Sequence, residues 1–498
     1  MNTIWSSLLW KEWREHRWKI ALLAAGALLL MPAPWMKDTT WHSAIDVIGP
    51  LLMLLIPLMA MFLGASIAAG EQSQRTIGFL QALPVTIRRP AMAKLFLALV
   101  AVWTPCLLIA GITLLWRRNE SVAIDVPPAW ALVGVGFVAT SLLIWMAAVG
   151  VNRSDEVRAA AIGLLAILSY WAVLGFFISP PDMSSPLWSR LAFAAGPAGI
   201  STVLMELENQ SRETEMTYSP VWPLIVAALL SNGAMLAWYV ARFGRIAAGR
   251  RQAIEPVPAI KAPTWLAPPR RSPWSAILWK QMRETLPLAA LGAAAILSIA
   301  GVIAATAINQ ADGQPWEKFA HIAGAVWIMT GFFVSIVAGV GLLMDDLRPG
   351  LHAFWRSRPI DPDQWFGVKF VASLLMTIVT LAVPPAVIYG VVVQSLGWER
   401  ADSVLDLETT WSVFGYSLLA QTGAFCLAAA MMALVRQPVM AALITILTAV
   451  TMAAAFSMLS QKYGGPTPPM SAALVGLLTL AAAFVAWLAV RNDWGWNR

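Results

Sequence analysis

Twelve stretches of apolar residues run through the chain, near 20–36, 47–70, 92–115, 129–151, 158–179, 221–243, 286–308, 319–344, 368–396, 411–435, 438–460 and 470–490. A helix that crosses a bilayer needs about 20 such residues. A backbone in hydrocarbon must satisfy its own hydrogen bonds, so helices are the economical solution. The pattern predicts an all-α polytopic membrane protein with twelve transmembrane helices. Composition agrees: 59% of residues are hydrophobic and 12% are charged, against about 25% charged in a soluble domain. The same balance excludes a disordered chain, and 26 Trp residues suit the membrane–water boundary, where Trp is enriched. The first stretch has the basic start and apolar run of a signal peptide. Its charged start is too long for that, and it recurs mid-chain ahead of another apolar run.

Polar chemistry is sparse. Cys106 and Cys426 both lie in apolar runs and make no disulfide framework. His16, His42, His321 and His352 are scattered, so no metal site is expected. No Ser/His, Asp/Asp or His/Glu/His set falls within the apolar stretches, so no catalytic residues are assigned.

An even number of spans puts both termini on one side. With that side cytoplasmic, inside segments hold 26 Lys and Arg against 12 Asp and Glu, and outside segments hold 8 against 15. The threefold Lys/Arg bias predicts a multi-pass protein of the cell (plasma or inner) membrane with cytoplasmic termini. Basic loops facing anionic lipid account for the net charge of +7, so no nucleic-acid partner is expected.

The chain also repeats itself. Trp5-Ser6-Ser7-Leu8-Leu9-Trp10-Lys11-Glu12-Trp13-Arg14-Glu15 returns as Trp274-Ser275-Ala276-Ile277-Leu278-Trp279-Lys280-Gln281-Met282-Arg283-Glu284, with seven of eleven positions identical at an offset of 269. A second echo has an offset of 275: Glu71 maps to Asp346, Phe79 to Phe354, Pro84 to Pro359 and Lys94 to Lys369. Both echoes keep their place relative to the apolar stretches, which predicts two parallel six-helix repeats. Between them, Arg242 to Pro273 is rich in Pro and Arg and reads as a semi-rigid cytoplasmic linker. The expected organisation is a first membrane domain over 1–245, a linker over 246–273 and a second membrane domain over 274–498.

Two repeated elements carry the functional reading. The first is an interfacial amphipathic helix ahead of each half. Trp5, Leu8, Leu9 and Trp13 share a face, Lys11 and Arg14 stand opposite, and Glu12 sits at the apolar edge. Trp10 completes the first copy, and Trp274 and Trp279 mark the second. Such a helix lies in the membrane interface, as an anchor or as a lever on the first span. The second element runs from Glu71 to Pro84, polar at its start and closed by a helix-breaking Pro. It is too polar to span. It is either a loop helix packed on its own bundle or a docking knob for another protein.

An interfacial helix, six spans, a Glu-started helix after the second span and then Leu-Pro, Arg and Lys before the third resembles the permease subunit of ABC-2 type ABC transporters. Glu71, Arg75, Gly78, Leu83, Pro84, Arg88 and Lys94 carry the resemblance. It implies that the Glu71–Leu83 segment is a coupling helix seated in an ATP-binding subunit. Ile77, Phe79 and Leu80 would be its anchors, with Glu71 and Arg75 at the rim. Asp346, Phe354, Trp355 and Pro359 would form the second copy, which departs in having Pro349-Gly350 and Arg358. It further implies short extracellular helices within Pro180–Pro220 and export as the direction. No G-x-x-x-x-G-K-[ST] stretch occurs in the chain. ATP and Mg would therefore be held by a separate ATP-binding subunit in two copies, and this chain would have no cofactor and no enzymatic activity of its own. Two alternatives stand beside this reading. One is a twelve-helix secondary transporter of the major facilitator type, which would ordinarily need a buried carboxylate for proton coupling. The other is a non-transporting membrane scaffold.

Overall fold

A computed structural model describes residues 2–29, 41–73, 76–82, 86–117, 129–153, 156–177, 186–212, 221–245, 272–309, 315–344, 346–347, 361–397, 407–463 and 468–494. Every regular element among them is a helix. In chain order these are α1 (Asn2–Leu29), α2 (Trp41–Ser73), α3 (Ile77–Ala82), α4 (Arg88–Arg117), α5 (Ala129–Gly150), α6 (Glu156–Phe177), α7 (Leu187–Ala194) and α8 (Ile200–Arg212). They continue with α9 (Trp222–Arg242), α10 (Pro273–Asn309), α11 (Pro315–Met344), α12 (Pro362–Leu396), α13 (Leu407–Val435), α14 (Pro438–Tyr463) and α15 (Pro468–Arg491). The protein is an all-α polytopic membrane protein.

Six helical stretches among the described residues are long and apolar enough to cross a bilayer: Arg88–Gly111, Val133–Gly150, Trp222–Arg242, Pro362–Gln394, Ser412–Val435 and Met470–Arg491. That is half the number read from the sequence. The other six expected segments lie in α1, α2, α6, α10, α11 and α14, where part of each apolar run falls outside the described side chains. Two shorter apolar stretches, Thr330–Met344 and Pro438–Ala453, belong to this group.

The chain divides into two compact units. The first comprises Met1–Tyr170, Ile178–Arg251 and Ile446–Pro466; the second comprises Trp171–Phe177, Gln252–Thr445 and Thr467–Arg498. The major break between Arg251 and Gln252 falls inside the linker read from the sequence. The two exchanged segments were not foreseen. In the first unit α1 runs along α4 and α2 runs along α5, with α9 packed on α5. In the second, α10 runs along α12 and α11 along α13, with α15 packed on α13.

Close backbone approach marks two of these pairs, α2 with α5 and α11 with α13. A Cβ on Gly64 of α2 would stand 2.7 Å from the Leu143 carbonyl oxygen of α5. One on Gly339 of α11 would stand 2.4 Å from the Phe425 carbonyl oxygen of α13. Helices in lipid associate by such contacts, because burial against hydrocarbon gains nothing. In α12, Pro385 cannot donate to the Leu381 carbonyl one turn back. The Trp327 indole of α11 donates to that carbonyl instead, at 2.8 Å, and so satisfies a backbone group that water cannot reach.

Between α6 and α9 the chain forms two short helices, α7 and α8, within the segment where the family resemblance implies them. Arg190 and Glu206 join them through a buried ion pair of 2.7 Å. Their connecting turn is held deep in the bundle: Ser231 of α9 donates to the Ala195 carbonyl at 2.5 Å, and Ser141, midway along α5, accepts from the Ala198 amide at 3.3 Å.

One expectation about elements is corrected. The interfacial segments are not separate helices ahead of the first spans. Asn2–Leu29 is one continuous helix, and so is Pro273–Asn309. Asn2–Leu29 carries no Pro or Gly between its charged start and Ile20, so its helical hydrogen bonds propagate without a break, and Pro273–Asn309 continues as a helix through Pro287.

Candidate functional site

The functional elements meet at the polar ends of α1, α2 and α4. Glu71 lies in the last turn of α2 and is 4% exposed. Lys94, near the start of α4, reaches it at 2.8 Å, and Lys11 of α1 reaches it at 3.1 Å. Lys94 also bonds Glu12 of α1 at 2.8 Å, and Glu12 is fully buried. Two lysines and two carboxylates thus tie three helices together.

The site also shapes the chain that leaves α2. The Thr76 amide donates to the Glu71 carbonyl at 2.9 Å, and the Thr76 hydroxyl donates to the Glu71 carboxylate. Leu80 in turn donates its amide to the Thr76 carbonyl at 3.1 Å, which starts α3. Glu71 thus anchors Thr76, the residue that precedes α3. Tyr239 of α9 donates to the Ile67 carbonyl at 3.2 Å and holds the same end of α2 from another side.

Burial pushes the Glu71 carboxyl up. The charge and hydrogen bond of Lys94, with help from Thr76 and Lys11, outweigh it and hold the pKa at about 2. His16, one turn beyond Glu12, is also buried, and its Nδ1 lies 2.9 Å from the Glu12 carbonyl oxygen. Burial, and then the positive charges of Lys19, Lys94 and Lys11, depress its pKa to about 2, so it is neutral at physiological pH.

The second unit contains the same motif in different residues. Asp346, just after α11, is 2% exposed. Lys369 of α12 donates to it, and Lys280 of α10 does so at 3.1 Å. Burial raises the Asp346 carboxyl, and Lys369 and Lys280 together lower it below the ordinary range. Where the first unit has Glu12, the second has Gln281, whose amide donates to Ser373 at 2.6 Å.

Several expectations change. Glu71 was placed at a solvent-facing rim; it is a buried strut. The Glu71–Leu83 segment was read as one helix, but Glu71 ends α2 and α3 begins at Ile77. Leu80 was assigned to a docking groove, yet it is 1% exposed and packs within its own unit. Ile77 is half-buried, near Gly244 and Ile87. The side chains of Arg75, Phe79, Leu83 and Pro84, and all of Phe354, Trp355 and Pro359, lie outside the described residues.

α1 buries the edge that carries Glu12. Its inward face is Leu8, Glu12, His16 and Ile20, one residue per turn, while Trp10 and Trp13 are exposed and Trp5 and Leu9 half-buried. Trp274 is exposed on α10, and Trp279 is half-buried with the Arg283 guanidinium 5.3 Å from its ring. Sequence reading missed Glu12 and Lys11 as partners of the site. The signal was Glu12 itself, a carboxylate on an apolar edge, which needs a buried cation. No family model and no curated protein matches the chain.

Proposed function

We propose that the chain is the transmembrane subunit of an ABC-2 type ABC transporter: a permease of two parallel six-helix repeats, with twelve spans, that exports its substrate using ATP hydrolysed by two copies of a separate subunit. The observation that carries the reading is the lysine-held carboxylate found after the second long helix of each unit. Glu71 is held by Lys11 and Lys94, and Asp346 by Lys280 and Lys369. The two lysines of each site descend from the two separate sequence echoes, at offsets 269 and 275. Two independent alignments thus converge on one constellation in each unit, and Gly64 and Gly339 add a third pair at 275.

The arrangement suits force transmission. A short helix pressed by an ATPase moves its support only if the junction behind it is stiff. The Glu71 cluster is such a junction, because it ties α3 to α1, α2 and α4 through charge-assisted bonds. Within this reading Phe79 is the expected anchor of the interface, now that Leu80 is committed to the interior. The termini and linker are cytoplasmic, as the ATPase would require.

The buried carboxylates also keep the secondary-transporter alternative in view, because Glu12, Glu71 and Lys94 form an ionisable cluster of the kind proton coupling uses. One experiment separates the two. Reconstituted with a candidate ATP-binding subunit, the chain should stimulate ATP hydrolysis, and Phe79→Ala should weaken co-purification by roughly thirtyfold or more, the usual cost of truncating a buried aromatic anchor. Normal binding and activity in Phe79→Ala would reduce α3 to a plain loop helix. Transport driven by a proton gradient without ATP would favour the alternative.

A further inference from the structure

We propose that the outward arc of α1 is a binding site for anionic phospholipid headgroups. At 100° per residue, Trp13, Arg17, Trp10, Arg14 and Trp18 follow one another around about 140° of the helix surface. The order alternates indole and guanidinium. All five are exposed, Trp10 and Trp18 to about two-thirds of their surface at 66% and 65%. The Arg17 guanidinium stands 5.6 Å from the Trp18 ring centre.

The fold makes this face unusual. α1 turns Glu12 and His16 inward, so its carboxylate at Glu12 is spent on Lys94 and the outward arc keeps its arginines. An amphipathic helix in water would do the reverse. Three exposed indoles are poorly accommodated by water and well accommodated by the headgroup layer, where Trp partitions. Two arginines at the same level fit phosphate oxygens, because the guanidinium fork donates two parallel hydrogen bonds to them. The helix turns apolar directly after this arc, from Ile20 onward, which sets the arc at the edge of the hydrocarbon. Arginine stacked over tryptophan recurs at the ends of other long apolar helices: Arg242 over Trp238 at 4.4 Å and Arg491 over Trp487 at 5.1 Å.

Charge complementarity selects the lipid. A zwitterionic headgroup brings its own ammonium, which the two arginines repel, whereas an anionic headgroup brings an uncompensated phosphate. The corresponding face of α10 supplies an internal comparison. At the offset of 269, Trp13, Arg17, Trp10 and Arg14 map to Met282, Leu286, Trp279 and Arg283, of which Met282, Leu286 and Arg283 are exposed and Trp279 is half-buried. That face is mainly apolar and should discriminate little between headgroups. The inference does not depend on the transport reading.

The test uses the purified full chain in detergent, offered equal amounts of phosphatidylglycerol and phosphatidylcholine, with retained lipid read by native mass spectrometry. Phosphatidylglycerol should be retained preferentially, and less so as salt is raised. Each arginine near an anionic surface contributes roughly fivefold, so Arg14→Gln with Arg17→Gln should lower phosphatidylglycerol retention by roughly thirtyfold. Arg14→Lys with Arg17→Lys should keep the preference in weakened form, which separates lost charge from lost fold. Arg283→Gln should leave retention unchanged. Equal retention of the two lipids by the native chain, or an undiminished preference in the double Gln variant, would overturn the proposal. So would a double Gln variant that keeps its lipid but no longer co-purifies with the ATP-binding protein, because the arc would then be a protein contact.

Discussion

Lys94 is the residue on which the first site depends, because it is itself buried and bonds both buried carboxylates at 2.8 Å, whereas the partly exposed Lys11 reaches Glu71 at 3.1 Å and Glu12 at 3.6 Å. Removing one partner of a buried ion pair leaves an uncompensated charge and costs about 3–5 kcal/mol. Lys94→Met should therefore lower the melting temperature of the detergent-solubilised protein more than Glu71→Gln does, since Glu71→Gln strands no carboxylate. Equal melting temperatures for the two would show that Lys11 alone can hold the site. The pH dependence has a definite sign. Glu71 has a folded pKa of about 2, below its usual value of 4.5, so its contribution is complete above about pH 4.5 and is lost as the pH falls toward 2. His16 falls from 6.5 to about 2, so below pH 6.5 the unfolded chain takes up a proton that the folded chain refuses. Both groups make acid destabilising. Melting curves from pH 7.5 to 4.5 should show a decline that His16→Gln reduces, because of these two groups only His16 titrates in that window.

At the scale of elements, the helix pairs α2/α5 and α11/α13 rest on glycine at one crossing each. Gly64→Ala and Gly339→Ala place a methyl against a backbone carbonyl, which cannot rotate away as a side chain would. Overpacking of this kind typically costs about 1–3 kcal/mol. Gly233→Ala in α9 is the control, since nothing lies within 4 Å of its added methyl. Thermal melts of the three variants should separate the two crossing glycines from Gly233. A tolerated Gly64→Ala would mean that α2 and α5 can slide apart without loss. Trp327→Phe tests a different support: it keeps the ring stacked on Phe414 but leaves the Leu381 carbonyl without its indole donor. An unsatisfied buried group costs about 1–3 kcal/mol, and the melting temperature should fall accordingly.

For the whole molecule, the prediction concerns sidedness. The distribution of Lys and Arg predicts that the termini and the linker are cytoplasmic. A cysteine introduced as Pro263→Cys, with Cys106 and Cys426 buried and unreactive, should be labelled by an impermeant maleimide in inverted vesicles and protected in intact cells. Labelling in intact cells would reverse the topology, and with it any docking of α3 on a cytoplasmic ATPase.

Much of this was already present in the order of residues. Apolar runs of membrane length specify helices, since no other regular structure satisfies a backbone in lipid. The echo at offset 275 picked out Glu71, Lys94, Asp346 and Lys369 as related pairs. Local pattern could not say which face of α1 turns inward. The pattern leaves Glu12 at the edge of the face formed by Trp5, Leu8, Leu9 and Trp13. The tertiary structure buries that edge, because Lys94 on α4 offers Glu12 a partner at 2.8 Å and the bundle contributes the apolar cover around it. The same holds for Leu80 and Glu71, which look exposed in a short polar segment and are 1% and 4% exposed in the fold. A charge's preferred environment depends on what stands opposite it, and for residues 82 positions apart only the assembled fold supplies that.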